Sequence, residues 1–138
     1  GNNRKAKRHL EVLEPGGKRL GIHAHDNQQR AFANTIEALS MGASYLDGTL
    51  SGMGRGAGNC ALEALIGFLK NPRYQLDPLL RFIQKDILAL KKAGSAWGSD
   101  IPYLLTGLLD QHPRTAIAAT KAHDTNYSAF YQMLLDKD

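Results

Sequence analysis

A strict alternation of apolar and polar side chains runs from Leu20 to His25 and predicts a short β-strand. Because successive residues of a strand point to opposite faces, Leu20, Ile22 and Ala24 share one face. His23 and His25 share the other. The pattern therefore predicts two imidazoles side by side at the end of a strand.

A helix and a second strand follow this segment. Apolar residues recur at helical spacing between positions 28 and 41, and Gly42 provides a C-terminal stop. The positions that we expect to pack against the sheet are Phe32, Ile36 and Leu39. Residues 43–50 again have strand character. A strand, a helix and a strand within about 30 residues form a βαβ unit, so the two strands should be parallel.

The chain beyond this unit is predicted to be helical. A glycine run leads to Asn59, which we expect to act as the N-cap of a helix over residues 60–70. Asp77 and Pro78 open a second helix that ends at Gly94. Its apolar stripe consists of Leu79, Ile83, Ile87 and Leu90. In the last 40 residues, helices should restart at Asp100 with Pro102, at His112 and Pro113, and at Asp124 and Thr125.

Composition places the chain among ordinary globular proteins. It has 138 residues, 43% of them hydrophobic, and a single cysteine, Cys60, which excludes a disulfide framework. Residues 1–19 carry six basic and two acidic side chains, which accounts for the formal net charge of +4. No aromatic residue is interleaved with these charges, so a solvated helix over residues 3–13 is favoured over a nucleic-acid arm. We expect a cytoplasmic protein that binds neither nucleic acid nor membrane.

The histidine pair is the most specific chemical signal in the sequence. Alternate strand residues place two imidazoles at a distance that one metal ion can bridge, although such pairs are also common as plain surface residues. The pair ends a strand of a βα unit, where α/β proteins build their sites. A hydrated Mg²⁺ or Mn²⁺ would also need oxygen ligands, and Asn59 is a candidate.

The glycine-rich segment 52–59 offers weaker signals. It satisfies a loose dinucleotide-binding pattern, but the acidic residue expected about 20 positions later falls among helix residues near Asp77. Arg55 is either a contact for an anionic substrate group or a solvated loop charge. Asp47 is interpreted as a buried hydrogen-bond acceptor at a strand end, with a direct catalytic role as the alternative.

Residues 19–66 resemble the second half of the barrel in the pyruvate-aldolase and HMG-CoA-lyase superfamily, which includes 4-hydroxy-2-oxovalerate aldolases and the isopropylmalate and homocitrate synthases. The shared features are an H-x-H strand, an A-N-x-x-A-x-x-x-G-A helix, a strand with Asp near its end and a G-x-G-A-G-N-x-x-x-E loop. The matching residues are His23, His25, Ala33, Asn34, Ala38, Gly42, Ala43, Asp47, Gly54, Gly56, Ala57, Gly58, Asn59 and Glu63. Segments 97–103 and 111–114 resemble the helical extension of the same superfamily less specifically.

The resemblance implies roles for individual residues. His23 and His25 would be metal ligands, and Asn59 would be a ligand or lie close to the metal. Tyr103 matches a tyrosine of the extension that acts as an acid in the aldolases, although a packing role is the alternative favoured here. The cofactor implied is a divalent metal, Mn²⁺ or Mg²⁺.

The chain is too short for the complete fold that the resemblance implies. A (β/α)₈ barrel takes about 250 residues, and residues 1–18 show nothing like the Arg-Asp strand motif that supplies the family's catalytic Arg and third metal ligand. The expected fold class is therefore α/β, as a C-terminal fragment of a TIM barrel. Residues 1–72 would form about two parallel βα units, and residues 73–138 would form a C-terminal helical extension.

The implied activity is a metal-dependent aldolase or lyase that cleaves a C–C bond of a 4-hydroxy-2-oxo acid, with the isolated chain inactive. The partners implied are a small 2-oxo acid, a second copy of the chain in a homo-oligomer and a dehydrogenase. Two alternatives stay open at this stage. One is an acyl-CoA-dependent synthase of the same superfamily, and the other is a non-catalytic helical assembly module.

Overall fold

The computed structural model describes residues 19–137 as a mostly helical α/β chain with two parallel strands. The first strand is β1 (Gly21–Ile22), followed by helix α1 (Ala31–Ser40) and strand β2 (Tyr45–Leu46). A 3₁₀ turn (Leu50–Gly52) and helix α2 (Leu62–Leu69) complete the N-terminal part. The predicted helix over residues 3–13 lies outside the described residues. Among residues 19–137, no helix combines the length and the apolar character needed to cross a bilayer.

The parallel βαβ unit predicted from the sequence is confirmed. Gly21 pairs with Tyr45, and Ile22 pairs with Leu46. The regular strands are shorter than predicted because the partner of the first strand changes after Ile22. The carbonyl of Ala24 accepts the N–H of Cys60 at 3.2 Å, and the N–H of Asp26 donates to Gly58 at 3.0 Å. The glycine-rich segment thus takes the place of a longer second strand.

Of the three residues of α1 that were predicted to pack inward, only Ile36 does so, against the buried cluster of Ala31, Cys60 and Leu65. Phe32 and Leu39 are 36% and 38% exposed, so the prediction that they pack against the sheet was wrong. The buried stripe has i, i+3, i+4, i+7 spacing and consists of Ala31, Asn34, Thr35 and Ala38. Small side chains let the helix approach the strands closely, while Phe32 stacks edge to face on Phe68 of α2 with ring centroids 5.5 Å apart.

One long helical segment follows α2. Helix α3 (Leu76–Phe82) continues through a π-helical turn (Ile83–Ile87) into helix α4 (Leu88–Lys92). Gly94, with φ of +102°, follows the last turn, as the sequence predicted. The π-helical turn shifts the helical register, so the residues of the predicted apolar stripe do not all lie on one face of the segment. Ile87 is buried, whereas Leu90 is 44% exposed.

Three further helices end the described chain: α5 (Ile101–Leu108), α6 (Arg114–Lys121) and α7 (Tyr127–Asp136). The predicted restart points are confirmed within two residues. Asp100 caps α5 by accepting the N–H of Ile101 at 2.8 Å, Pro113 precedes α6, and Asn126 caps α7. These helices enclose the largest buried cluster, formed by Ala57, Tyr103, Ala116, Phe130 and Leu134. Ala57 ties this cluster to the glycine-rich segment.

Candidate functional site

The two histidines of the H-x-H motif lie next to each other at the end of β1. Their ring centroids are 5.0 Å apart, and the rings are nearly perpendicular at 83°. Both side chains are on the exposed face of the two-stranded sheet, while Ile22 and Ala24 pack on the opposite face toward the helices. The predicted side-by-side placement of His23 and His25 is confirmed.

Asp47 follows β2 and orients His23. Nδ1 of His23 lies 3.2 Å from Oδ2 of Asp47. An ionised carboxylate can only accept a hydrogen bond, so Nδ1 is the donor, and in the neutral imidazole this arrangement leaves the lone pair on Nε2. Because the two side chains are 49% and 65% exposed, their contact contributes little to folding stability. Asp47 is thus an acceptor at a strand end, as predicted, but the prediction that it is buried was wrong.

The glycine-rich segment positions Asn59 beside His25. The two residues form an isolated antiparallel bridge, and the N–H of Asn59 donates to the Gly52 carbonyl at 3.0 Å. The side-chain Nδ2 donates to the Met53 carbonyl at 3.1 Å. Oδ1 of the same amide is buried and has no hydrogen-bond partner among residues 19–137. A buried acceptor without a partner is costly, so a bound ligand or water that reached this oxygen would relieve that cost.

Asn59 was also predicted to cap α2, and that prediction was wrong. The N-cap position is Ala61, and no side chain bonds the first turn there. Glu63 in that first turn accepts the N–H of Ser51 at 3.0 Å, which ties α2 to the 3₁₀ turn. The amide of Asn59 is therefore held by the glycine-rich segment rather than by the helix.

Trp97 and Gly98, which lie between α4 and α5 and are called the strap here, contact the glycine-rich segment. The indole N–H of Trp97 donates to the Ser51 carbonyl at 3.0 Å, and the N–H of Gly98 donates to the Gly56 carbonyl at 3.1 Å. The ammonium of Lys91 lies 4.8 Å from the centroid of the Trp97 ring. Only the family resemblance pointed to Trp97. No local sequence pattern predicts its contact with Ser51, because the two residues are 46 positions apart.

A pocket of about 430 Å³ adjoins the histidine pair. Its lining includes Gln28, Arg30 and Asn34 together with both histidines. Asn34 is 9% exposed, and its Oδ1 has no partner among the described residues. The sequence pointed to Asn34 only through the family motif, not as a functional residue. A polar residue on the apolar stripe of a helix is nevertheless a detectable signal.

Two titratable groups near the site are shifted toward their neutral forms. Burial raises the pKa of Asp26, and the hydrogen bond that its carboxylate accepts from the N–H of Ala31 opposes this. Burial also raises the pKa of the Cys60 thiol, Thr35 opposes this by a hydrogen bond, and the charges of Asp26 and Glu63 add to the rise. Cys60 is therefore a buried neutral thiol rather than a nucleophile.

Arg55 and Tyr103 do not line the pocket at the histidine pair. Arg55 is exposed on the glycine-rich segment. Tyr103 is 5% exposed and packs on Gly56, where an added Cβ would lie 3.1 Å from the tyrosine ring. The packing interpretation of Tyr103 matches this position, and its role as an acid stays a prediction.

The metal-binding potential of the site rests on imidazole and amide groups. Within residues 19–137, no group of three or more His, Cys, Asp or Glu side chains is arranged to hold a metal ion. The candidate donors are the two imidazoles, which line the pocket at the histidine pair, and the buried amide oxygen of Asn59, whose backbone is bridged to His25 and whose side chain lines a separate pocket. That His23, His25 and Asn59 hold a metal ion stays a prediction.

The chain is similar to several enzymes over part of their length. It is 38% identical over 100 residues to an oxaloacetate decarboxylase of Mycobacterium tuberculosis, which covers 69% of this chain and 29% of that enzyme. It is 47% identical over 57 residues to a 4-hydroxy-2-oxovalerate aldolase of Pelotomaculum thermopropionicum, covering 41% of this chain and 17% of that enzyme. The chain therefore spans less than a third of each of these relatives.

A solved structure and a family model agree with these similarities. The fold matches the crystal structure of the N-terminal domain of a putative aldolase from Bacteroides vulgatus with a TM-score of 0.73 and 28% identity, covering 92% of this chain and 43% of the other. The model of the HMGL-like family matches residues 5–86. Because that match spans more than half of the sequence and contains the histidine pair, Asp47 and Asn59, the chain belongs to the HMGL-like family.

Proposed function

We propose that this chain supplies part of the active site of a divalent-metal-dependent aldolase or lyase that cleaves a C–C bond of a 4-hydroxy-2-oxo acid. The observation that carries the proposal is the buried Oδ1 of Asn59, which has no hydrogen-bond partner among residues 19–137 and lies on the residue bridged to His25. Membership of the HMGL-like family and similarity to 4-hydroxy-2-oxovalerate aldolases support the reaction class.

The residues present fit one side of a Mn²⁺ or Mg²⁺ site. Two imidazole nitrogens and one amide oxygen are acceptable ligands, but hard cations prefer anionic oxygen. Asp47 lies 3.2 Å from Nδ1 of His23 through its Oδ2 and so would orient a ligand rather than bind the metal itself. The anionic ligand would come from the Arg-Asp strand motif of the family, which residues 1–18 do not contain.

Groups of this chain would orient the metal ligands and bind the substrate. Asp47 fixes the tautomer of His23, the Met53 carbonyl fixes the amide of Asn59, and Arg30 lines the pocket as a cation available to a substrate carboxylate. When bound, a divalent cation supplies Lewis-acid stabilisation of the negative charge that develops on the oxo oxygen.

The proposal includes the larger fold. The exposed face of the sheet, which carries His23 and Asp47, would face the interior of a (β/α)₈ barrel, with residues 1–72 as its C-terminal βα units and 73–138 as a helical extension. Holding a metal and a positioned cation together contributes on the order of a hundredfold or more to such reactions. The isolated chain should therefore bind the reactants without turning them over.

A binding measurement tests this proposal without requiring turnover. Mn²⁺ bound near His25 should broaden the proton resonance of the pyruvate methyl group more than the same concentration of free Mn²⁺ does. The effect should disappear in His25→Ala and persist in His112→Ala, whose exposed side chain lies outside the pocket. No extra broadening in the unmodified chain would favour the helical assembly module instead.

A turnover assay complements the binding measurement. Release of pyruvate from 4-hydroxy-2-oxovalerate should be undetectable with and without Mn²⁺. Metal-dependent turnover that is abolished by His25→Ala would show that the chain holds a complete site and would refute the fragment interpretation.

A further inference from the structure

A second pocket, of about 490 Å³, lies between the glycine-rich segment and the end of α6. Arg55, Lys121 and His123 line it, and none of its lining residues belongs to the pocket at the histidine pair. Three basic side chains from two segments more than 60 positions apart thus line one cavity, which also contains Tyr103 and is separate from the pocket at the histidine pair.

The charges of this pocket are not balanced within the described chain. No Asp or Glu lines the pocket, and among residues 19–137 neither Arg55 nor Lys121 forms an ion pair. Asp124 follows His123 in sequence, Asp100 lines a pocket that shares Thr120, and both carboxylates accept backbone N–H groups. Asp124 accepts the N–H of Asn126 at 2.9 Å, and Asp100 caps α5.

An unpaired hydroxyl adds an independent indication of a ligand. Thr120 lines this pocket and an adjoining one beside Asp100, and its Oγ1 is buried without a hydrogen-bond partner among the described residues. A hydroxyl can donate one hydrogen bond and accept two, and leaving it unpaired in the interior is unfavourable. An oxygen-rich anion in the pocket would satisfy this hydroxyl and the two cations together.

We propose that this pocket binds the phosphate group of a small phosphorylated metabolite. A guanidinium, an ammonium and a hydroxyl donor suit a dianion with several acceptor oxygens better than a carboxylate, which carries one charge. The volume exceeds what inorganic phosphate requires and falls within the range of small-molecule pockets. The proposal stands apart from the proposed aldolase function.

Calorimetric titration of the metal-free 138-residue chain at low ionic strength tests the assignment, with inorganic phosphate and glycerol 3-phosphate as probes. Both should bind saturably, and glycerol 3-phosphate should bind at least as tightly. Arg55→Gln and Lys121→Gln should each weaken binding about tenfold, because each removes a charge-assisted hydrogen bond. Thr120→Val, which keeps the side-chain shape, should weaken binding by a smaller factor.

Lys85→Gln is the matched control, since Lys85 is an exposed lysine outside the pocket. It should bind phosphate as the unmodified chain does, and so should His25→Ala, which separates this pocket from the metal site. The proposal is overturned if neither probe binds saturably, if Lys85→Gln weakens binding as much as Lys121→Gln does, or if pyruvate binds more tightly than phosphate. Binding of inorganic phosphate without glycerol 3-phosphate would overturn the metabolite assignment.

Discussion

Replacement of Asp47 should change the affinity for a metal ion without changing the stability of the fold. Its carboxylate lies 3.2 Å from Nδ1 of His23, and both side chains are about half exposed or more. Hydrogen bonds that orient metal-ligating histidines typically contribute 10–100-fold to metal affinity, whereas exposed ion pairs contribute about 1 kcal/mol or less to stability. Asp47→Asn should therefore weaken Mn²⁺ binding about tenfold and leave the melting temperature nearly unchanged.

Asp77→Asn is the matched control for this measurement. Asp77 pairs with Arg81 at 2.8 Å, and its side chain is 69% exposed, close to the 65% of Asp47. Titration of free Mn²⁺ by electron paramagnetic resonance should detect no change in affinity in this variant. Equal Mn²⁺ affinity of Asp47→Asn and the unmodified chain would mean that Asp47 does not orient a ligand.

Individual site residues differ in how far sequence could predict them. The two-residue period of a strand is local, so the pairing of His23 and His25 followed directly from their spacing. The contact of Asn59 with His25 joins residues 34 positions apart, and the sequence pointed to it only through the ligand chemistry of an amide oxygen and the family resemblance. Local rules alone favoured a helix cap there, because nothing in the segment shows that the Met53 carbonyl holds the amide.

At the scale of elements, the glycine-rich segment depends on Gly58. Its φ is +81°, and an added Cβ would overlap the carbonyl oxygen of Gly52, the same oxygen that accepts the N–H of Asn59. Gly58→Ala should lower the free energy of unfolding by about 3 kcal/mol, from backbone strain and overpacking together. It should also abolish Mn²⁺ binding by displacing Asn59.

Gly94→Ala distinguishes the cost of backbone strain from the cost of overpacking. Gly94 also has a positive φ, +102°, but an added Cβ there has no atom within 4 Å. Its cost should be about 1 kcal/mol of backbone strain alone, with unchanged Mn²⁺ affinity. Urea denaturation followed by circular dichroism measures both variants, and equal costs would argue against the tight packing of the segment.

The strap at Trp97 makes a second element-scale prediction. Trp97→Phe keeps an aromatic ring but removes the hydrogen bond to Ser51, so stability should fall by about 1–2 kcal/mol. Lys91→Met removes only the cation above the ring and should cost less, about 0.5 kcal/mol. Faster hydrogen exchange of the amides in residues 51–59 should accompany the first variant. Unchanged exchange there would mean that the strap does not hold the segment.

The ends of the elements were predictable where a single residue type determines them. Asp100 with Pro102, Gly42 and Gly94 mark helix ends by capping chemistry that acts within a few residues. The buried face of α1 was not predictable in the same way. Large apolar residues suggested the stripe, but the close approach of helix and strands selected Ala31, Asn34, Thr35 and Ala38.

At the scale of the molecule, the described chain exposes much apolar surface. Its sheet has two strands, and several large apolar residues are more than half exposed, among them Phe68, Tyr74 and Leu108. Two strands are rarely stable alone, and unpaired edges and apolar patches favour association. Light scattering should detect a mean mass that rises with concentration, with Phe68→Glu shifting the rise to higher concentrations. A monodisperse monomer at every concentration would contradict this.

The central claim is that His23, His25 and Asn59 form one side of a divalent-metal site, and a calorimetric titration with Mn²⁺ tests it most directly. The unmodified chain should bind one Mn²⁺ weakly, His25→Ala should remove the binding, and Asn59→Asp should tighten it, because a carboxylate supplies the anionic oxygen that Mn²⁺ prefers. Tight binding that survives both His23→Ala and His25→Ala would place the metal elsewhere and contradict the account.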